Sequence, residues 1–155
     1  MENTAEIIAG RGTLIQTSRF GAIEIDEDKI ITMTSSILGF PDDRQFILIP
    51  HAPDSPFWWL QAVQNPSLAF AVLQAARLNI SYDPEIGRLV RDELLLSRDE
   101  TPEILVILTI PRGRPQEMTA NLLGPVVINT TKRLARQIVL DDSRYNPCWP
   151  LTDHK

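Results

Sequence analysis

The chain has 155 residues, enough for one domain with a sizeable core, and its 43% apolar content is that of a folded protein rather than a disordered one. Acidic residues outnumber basic ones, 20 to 15, so the net charge of −5 argues against an RNA- or DNA-binding face and favours a basic partner. One cysteine, Cys148, excludes an internal disulfide; no apolar run approaches the roughly 18 residues of a membrane-spanning helix, and the acidic start lacks a leader pattern, so a soluble, cytoplasmic protein without direct nucleic-acid or membrane contact is expected.

In chain order, residues 14–17 and 20–25 are strand-like, with Glu24 between Ile23 and Ile25. Asp26-Glu27-Asp28 is a turn before the β-branched run 29–34, so 20–34 reads as a hairpin. Leu38-Gly39-Phe40-Pro41-Asp42 is a sharp turn, 46–49 a short buried strand, and 51–56 a proline-defined loop. Strands at 57–63 and 67–73 flank the turn Gln64-Asn65-Pro66. Residues 84–97 carry the best helical spacing, with Asp83 placed to cap it ahead of Pro84. Residues 104–110 are apolar on both faces and read as a central strand. Strands at 118–121, 125–130 and 135–140 complete the set. The 12 prolines, spread through the chain, favour short strands joined by turns over long helices. The expected fold is mostly β: a small antiparallel closed or pseudo-barrel of about nine short strands with one capping α-helix. It forms one domain over residues 1–155, with loose ends at 1–10 and 150–155, and a monomer is favoured.

Residues suited to catalysis do not converge. His51, Asp54 and Ser55 suggest a relay, but three neighbouring loop residues rarely place base and nucleophile correctly, and no nucleophile elbow is present. His51, His154 and Cys148 do not share a metal-ligand spacing. Cys148, beside Pro147 and Trp149, reads as a packed thiol. Gly10-Arg11-Gly12 lacks the rest of a phosphate loop, and Arg112 and Arg114 read as a solvated turn with too few cations to hold RNA. No catalytic, cofactor-binding or metal-binding residue is assigned.

Candidates for binding stand out more clearly. Asn121, Pro125 and Asn129 interrupt apolar, strand-like sequence where such residues are poorly suited. Either their amides recognise a partner's backbone, with Pro125 marking a sheet edge or bulge open to an added strand, or they satisfy nearby backbone groups. Phe57-Trp58-Trp59 puts aromatics on both faces of a strand, so one tryptophan points outward and is a candidate anchor. Tyr145 and Trp149 pose the same question in the tail. The partner-binding set is therefore Phe57, Trp58, Trp59, Gln61, Asn121, Pro125, Asn129, Gln137 and Tyr145.

Taken in order, Arg19-Phe20-Gly21, Leu38-Gly39-Phe40, Pro56-Phe57-Trp58-Trp59-Leu60-Gln61, Pro66-Ser67-Leu68-Ala69-Phe70, the run from Asn121 through Gly124-Pro125 to Asn129, and Arg136-Gln137-Ile138-Val139-Leu140 before Tyr145 resemble the flagellar assembly factor FliW family over residues 14–151. The resemblance implies a small pseudo-barrel without enzymatic activity. It also implies a cytoplasmic protein that binds flagellin before export and, once released, binds the translational regulator CsrA, which then lets go of the flagellin message. The alternatives are a small barrel that binds a ligand or RNA, which predicts a basic or ligand-sized concave face, and a hydrolase that depends on His51.

Overall fold

Alternating apolar side chains along seven strands close a barrel in the computed structural model, which describes residues 6–7, 12–142 and 144–151. The strands in chain order are β1 (Glu6–Ile7), β2 (Gly12–Thr17), β3 (Gly21–Asp26), β4 (Ile31–Met33), β5 (Gln45–Pro50), β6 (Phe57–Ala62) and β7 (Ala69–Gln74). After the one α-helix, α1 (Arg88–Glu93), come β8 (Glu103–Thr109), β9 (Thr119–Ala120), β10 (Val126–Asn129), β11 (Leu134–Gln137) and β12 (Trp149–Pro150). The ring runs β10-β11-β4-β5-β6-β7-β8 and closes because β10 also pairs with β8, Val126 lying opposite Leu105 on one side and Gln137 on the other. Its pairings are antiparallel except β11 with β4, where Leu134 lies beside Thr32. Strands β9 and β12 extend the sheet from β8, so the barrel itself has seven strands rather than about nine, and the strand-like stretches 14–17 and 20–25 belong to the separate β1–β2–β3 sheet.

Period-two alternation decides what fills the barrel. Ile31 and Met33, Phe46, Leu60 and Ala62, Val72, Leu105, Val126 and Ile128, and Ala135 point inward and pack together. Full burial of each large aliphatic or aromatic side chain contributes about 1.5–3 kcal/mol. One end is plugged by the turn at Gly39 (φ +90°), which brings Phe40 edge-on to Phe70 at 5.0 Å. The other mouth keeps a cavity of about 110 Å³ between Ile31, Leu48, Trp58 and Arg133. The interior is thus a packed core rather than a lumen.

Much of the outer wall is covered as well, which is why β8 and β10 are apolar on both faces. Ile15 and Ile25 of the β1–β2–β3 sheet pack on Ile47 outside β5. Ala71, Leu73, Val106 and Leu108 are covered by Leu78, Leu122, Tyr145 and Trp149. Leu94, Leu96 and Val90 lie on Val127 and Leu134, outside β10 and β11.

Two local expectations change. The 20–34 hairpin is not formed: β3 turns back on β2 through residues 18–20, with Ile15 opposite Ile23, while β4 enters the barrel after a 3-10 turn at Glu27–Lys29. Thr17 holds the real hairpin turn by donating to the Gly21 carbonyl and accepting from the Phe20 N–H. The helix is shorter than 84–97, because residues 83–87 are not helical and Gly87, not Asp83, is its N-terminal cap. It ends in a Schellman turn, Leu96 N–H to Arg91 C=O and Leu95 N–H to Asp92 C=O, with Leu95 at φ +58° where glycine is usual. At the ends expected to be loose, Glu6–Ile7 pairs with β2 and Trp149–Pro150 with β9; residues 1–5, 8–11 and 152–155 lie outside the described residues.

Candidate functional site

Asn121 and Asn129 do the same job before and at the end of β10. Asn121 Oδ1 accepts the N–H groups of Leu123 and Gly124 at 3.0 and 2.9 Å. Asn129 Oδ1 accepts those of Thr131 and Lys132 at 3.0 and 3.1 Å. Asn129 Nδ2 also donates to the carbonyls of Leu94 at 2.8 Å and Leu95 at 3.2 Å, holding the end of α1 against the barrel. Asn129 is 1% exposed and presents no amide to a partner. Pro125 is buried and does not mark an open edge, since its carbonyl accepts the Ile138 N–H; it closes a bulge along β8, where residues 122–125 lie between the Asn121–Ile107 bond and the Val126–Leu105 pair, opposite Val106 alone.

Gln137 links two loops at the plugged end. Its Nε2 donates to the Gly124 carbonyl at 3.0 Å and its Oε1 accepts the Leu38 N–H at 3.1 Å. The structure therefore brings Asn121, Pro125 and Gln137 into one latch. Gly124 sits close under both amides; a Cβ there would lie 3.0 Å from Asn121 Nδ2 and 3.1 Å from Gln137 Nε2.

Of the aromatic group, Trp58 packs against the barrel core and Trp59 points outward, as alternation requires. Trp59 is not bare. The Arg19 guanidinium stacks 3.9 Å from its ring centre, Phe20 meets it edge-on, and its Nε1–H donates to His51 Nδ1 at 3.3 Å. Beside it an apolar pocket of about 220 Å³ is lined by His51, Phe57, Trp59, Ala71, Ile110 and Met118. Gln61 is fully buried: its Nε2 faces the carbonyls of Ala62, Asn65, Pro66 and Leu68 at 3.0–3.3 Å, which staples the turn between β6 and β7. Its Oε1 is buried with no hydrogen-bond partner among the described residues.

Tyr145 lies edge-on to Tyr82 at 5.0 Å. Tyr82 donates to the Leu122 carbonyl at 2.6 Å, and burial together with the nearby Tyr145 pushes its phenol well above the ordinary range. Tyr145 also borders a groove of about 650 Å³ that sequence alone does not suggest. Val90, Ile138, Val139 and Leu140 supply its apolar surface; Asp83, Glu85, Asp141 and Asp142 supply its charge. Asp142 pairs with Arg144 at 2.7 Å, which holds its carboxyl down at about 2. No cation pairs with Asp83, Glu85 or Asp141 among the described residues.

Asp26 and Glu100 act as turn caps, accepting the Asp28 and Ser97 N–H groups, while Glu27 accepts from the Thr13 hydroxyl of β2. Arg114 pairs with Glu117 across an exposed turn. The imagined relay is not assembled: Ser55 Oγ accepts the Phe57 N–H, while His51 Nδ1 is occupied by Trp59. Cys148 is exposed rather than packed, and the Asn146 side chain accepts its N–H. No helix among the described residues is long and apolar enough to cross a membrane.

The sequence model of the FliW protein family matches residues 13–151. A flagellar assembly factor FliW of Magnetococcus marinus is 43% identical over 141 residues, covering 88% of this chain and 83% of its own. One of Syntrophus aciditrophicus is 39% identical over 131 residues, covering 84% and 82%. A crystal structure of the flagellar assembly factor FliW superposes with a TM-score of 0.80 at 32% identity, covering 89% of this chain and 96% of that one.

Proposed function

The chain belongs to the FliW family of flagellar assembly factors, and on that premise we propose that it is a non-catalytic, monomeric, cytoplasmic binding protein for flagellin and for CsrA. It holds flagellin before export. Once free of flagellin it binds CsrA and withdraws it from the flagellin message, so that synthesis follows export. The relation between the partners is one of linkage: binding one weakens the other by a coupling free energy of about 1–3 kcal/mol or more, without bond chemistry.

One observation carries this reading: a rigid, filled barrel presents two chemically unlike surfaces. The Trp59 pocket is apolar and lies on β6 and β7. It suits an apolar side chain from an amphipathic helix, the form of flagellin's partner segments. The groove beside residues 138–142 is acidic and lies next to the continuation of β11, three strands around the ring from β6. It suits a basic protein, and an RNA-reading regulator such as CsrA is expected to be basic. The alternative, a ligand-binding barrel, is disfavoured by the packed interior.

The test is titration of the purified chain with flagellin and with CsrA, separately and in competition. The expected result is a complex with each and a weaker apparent affinity for CsrA when flagellin is present. Binding to neither overturns the reading.

A further inference from the structure

Beyond Gln137 the chain continues to pair on one side only. The Ile138 N–H donates to the Pro125 carbonyl at 2.9 Å and the Leu140 N–H to the Leu123 carbonyl at 2.8 Å. This two-residue spacing extends the antiparallel ladder with β10's leading segment. Alternation turns the N–H and C=O of Val139 to the opposite edge, where neither has a hydrogen-bond partner among the described residues. On that side β4 pairs only with Leu134 and Ala135, and the chain then departs through Thr34 to the Leu38 turn.

The surface at this edge is apolar and open. Val139 is 63% exposed and Leu38, tied to Gln137 through its N–H, is 70% exposed. Val139 borders the groove that the four carboxylates of Asp83, Glu85, Asp141 and Asp142 also line, against the single guanidinium of Arg144. Native sheets rarely leave such an edge bare without a proline, a lysine or a bulge to block pairing. Here the local charge is acidic, which repels a second copy of this acidic chain and attracts a basic segment.

We infer that residues 137–141 form a docking edge for an extended, basic segment of a partner protein, which adds a strand at Val139 and sets its cations against Asp83, Glu85 and Asp141. Main-chain hydrogen bonds at Val139 supply the pairing; the apolar patch takes one face of the strand and the carboxylates select its charge. The inference rests on the binding role proposed above only for the natural partner, CsrA being the basic one.

The probe is a capped peptide of alternating arginine and valine, with an alternating glutamate and valine peptide as its counterpart. Binding is followed by amide chemical shifts and by hydrogen exchange. The arginine peptide is expected to shift and protect the Val139 amide, more weakly as salt rises, while the glutamate peptide leaves it unchanged. Val139→Pro removes the outward-facing donor without removing a hydrogen bond to the 123–125 segment, and is expected to weaken the arginine peptide by at least about tenfold, as is the double charge removal Asp83→Asn with Asp141→Asn. A peptide that leaves the Val139 amide of the wild-type chain unshifted and unprotected overturns the inference, whatever the variants do. Exchange in the CsrA complex separates the two proposals. CsrA binding without protection at Val139 refutes the edge and leaves the partner reading intact. Peptide capture without CsrA binding does the reverse.

Discussion

Asn129→Ala tests whether the most conspicuous polar residue in the strand set is architectural. The side chain is buried and four backbone groups depend on it. Thr131 and Lys132 are exposed, so water can replace Oδ1 at their N–H groups, and losing this turn contact costs about 0.5–1 kcal/mol. Leu94 is fully buried, so its carbonyl loses its partner without gaining water; an orphaned buried acceptor costs about 1–3 kcal/mol. The Leu95 carbonyl is released at the same time, and with it the restraint on a left-handed leucine. The expected loss is about 2–4 kcal/mol, which for a domain of this size lowers Tm by about 4–16 °C. Urea unfolding with an unchanged m-value measures it, and hydrogen exchange should show faster opening at Leu94 and Leu96, whose N–H groups close the end of α1. Asn129→Asp is a sharper control. It keeps acceptors for Thr131 and Lys132 but sets a carboxylate against two carbonyls, so it should be at least as damaging as alanine. A loss below about 0.5 kcal/mol in both variants, accompanied by weaker partner binding, would refute the architectural role and restore Asn129 as a contact residue.

Three further outcomes follow from the same geometry. Leu95→Gly should raise stability by about 0.5–1 kcal/mol in chemical unfolding, since the residue is exposed at φ +58° and glycine takes that conformation without a Cβ clash. Gly124→Ala should push the amide ends of Asn121 and Gln137 back by a few tenths of an ångström, changing stability by at most about 1 kcal/mol, and NMR should show the shift at the Leu38 amide held by Gln137. Glu93→Gln should alter the acid limb of the stability profile. A hydrogen bond from Thr34 and the guanidinium of Arg136 hold the Glu93 carboxyl below its ordinary 4.5, so its stabilisation is fully present above that value and is lost as pH falls through the lowered one. The variant should therefore be less stable than wild type near neutrality, and the gap should narrow below about pH 4.5; a gap that widens in acid contradicts the assignment.

What could be read from the linear chain was what depends on neighbours in sequence. Alternation placed seven barrel strands within a few residues of their bounds, because side chains two apart share a face whatever lies opposite. The doubly apolar run in β8 announced that both its faces are covered, and the adjacent tryptophans announced that one must face out. The ordered motifs from Arg19 to Tyr145 were enough to indicate the family. Sequence also left two roles open for Asn121 and Asn129, and the hydrogen bonds of both are local or to the end of α1.

Tertiary structure alone decided the rest. Whether β3 turned back on β2 or ran on to β4 depended on Ile15 and Ile25 finding Ile47, which no local period encodes. The helix ends at Glu93, and the carbonyls of Leu94 and Leu95 just beyond it are held by an amide from β10, 34 residues past Leu95. The acidic groove exists because closing the ring sets residues 83–90 beside residues 138–142, 144 and 145, and Val139 is an open edge only because β4 leaves the sheet after Met33. Periodicity reports which face of an element is apolar; which distant element arrives to cover it, and which backbone groups are left unpaired, is set by the closure of the barrel as a whole.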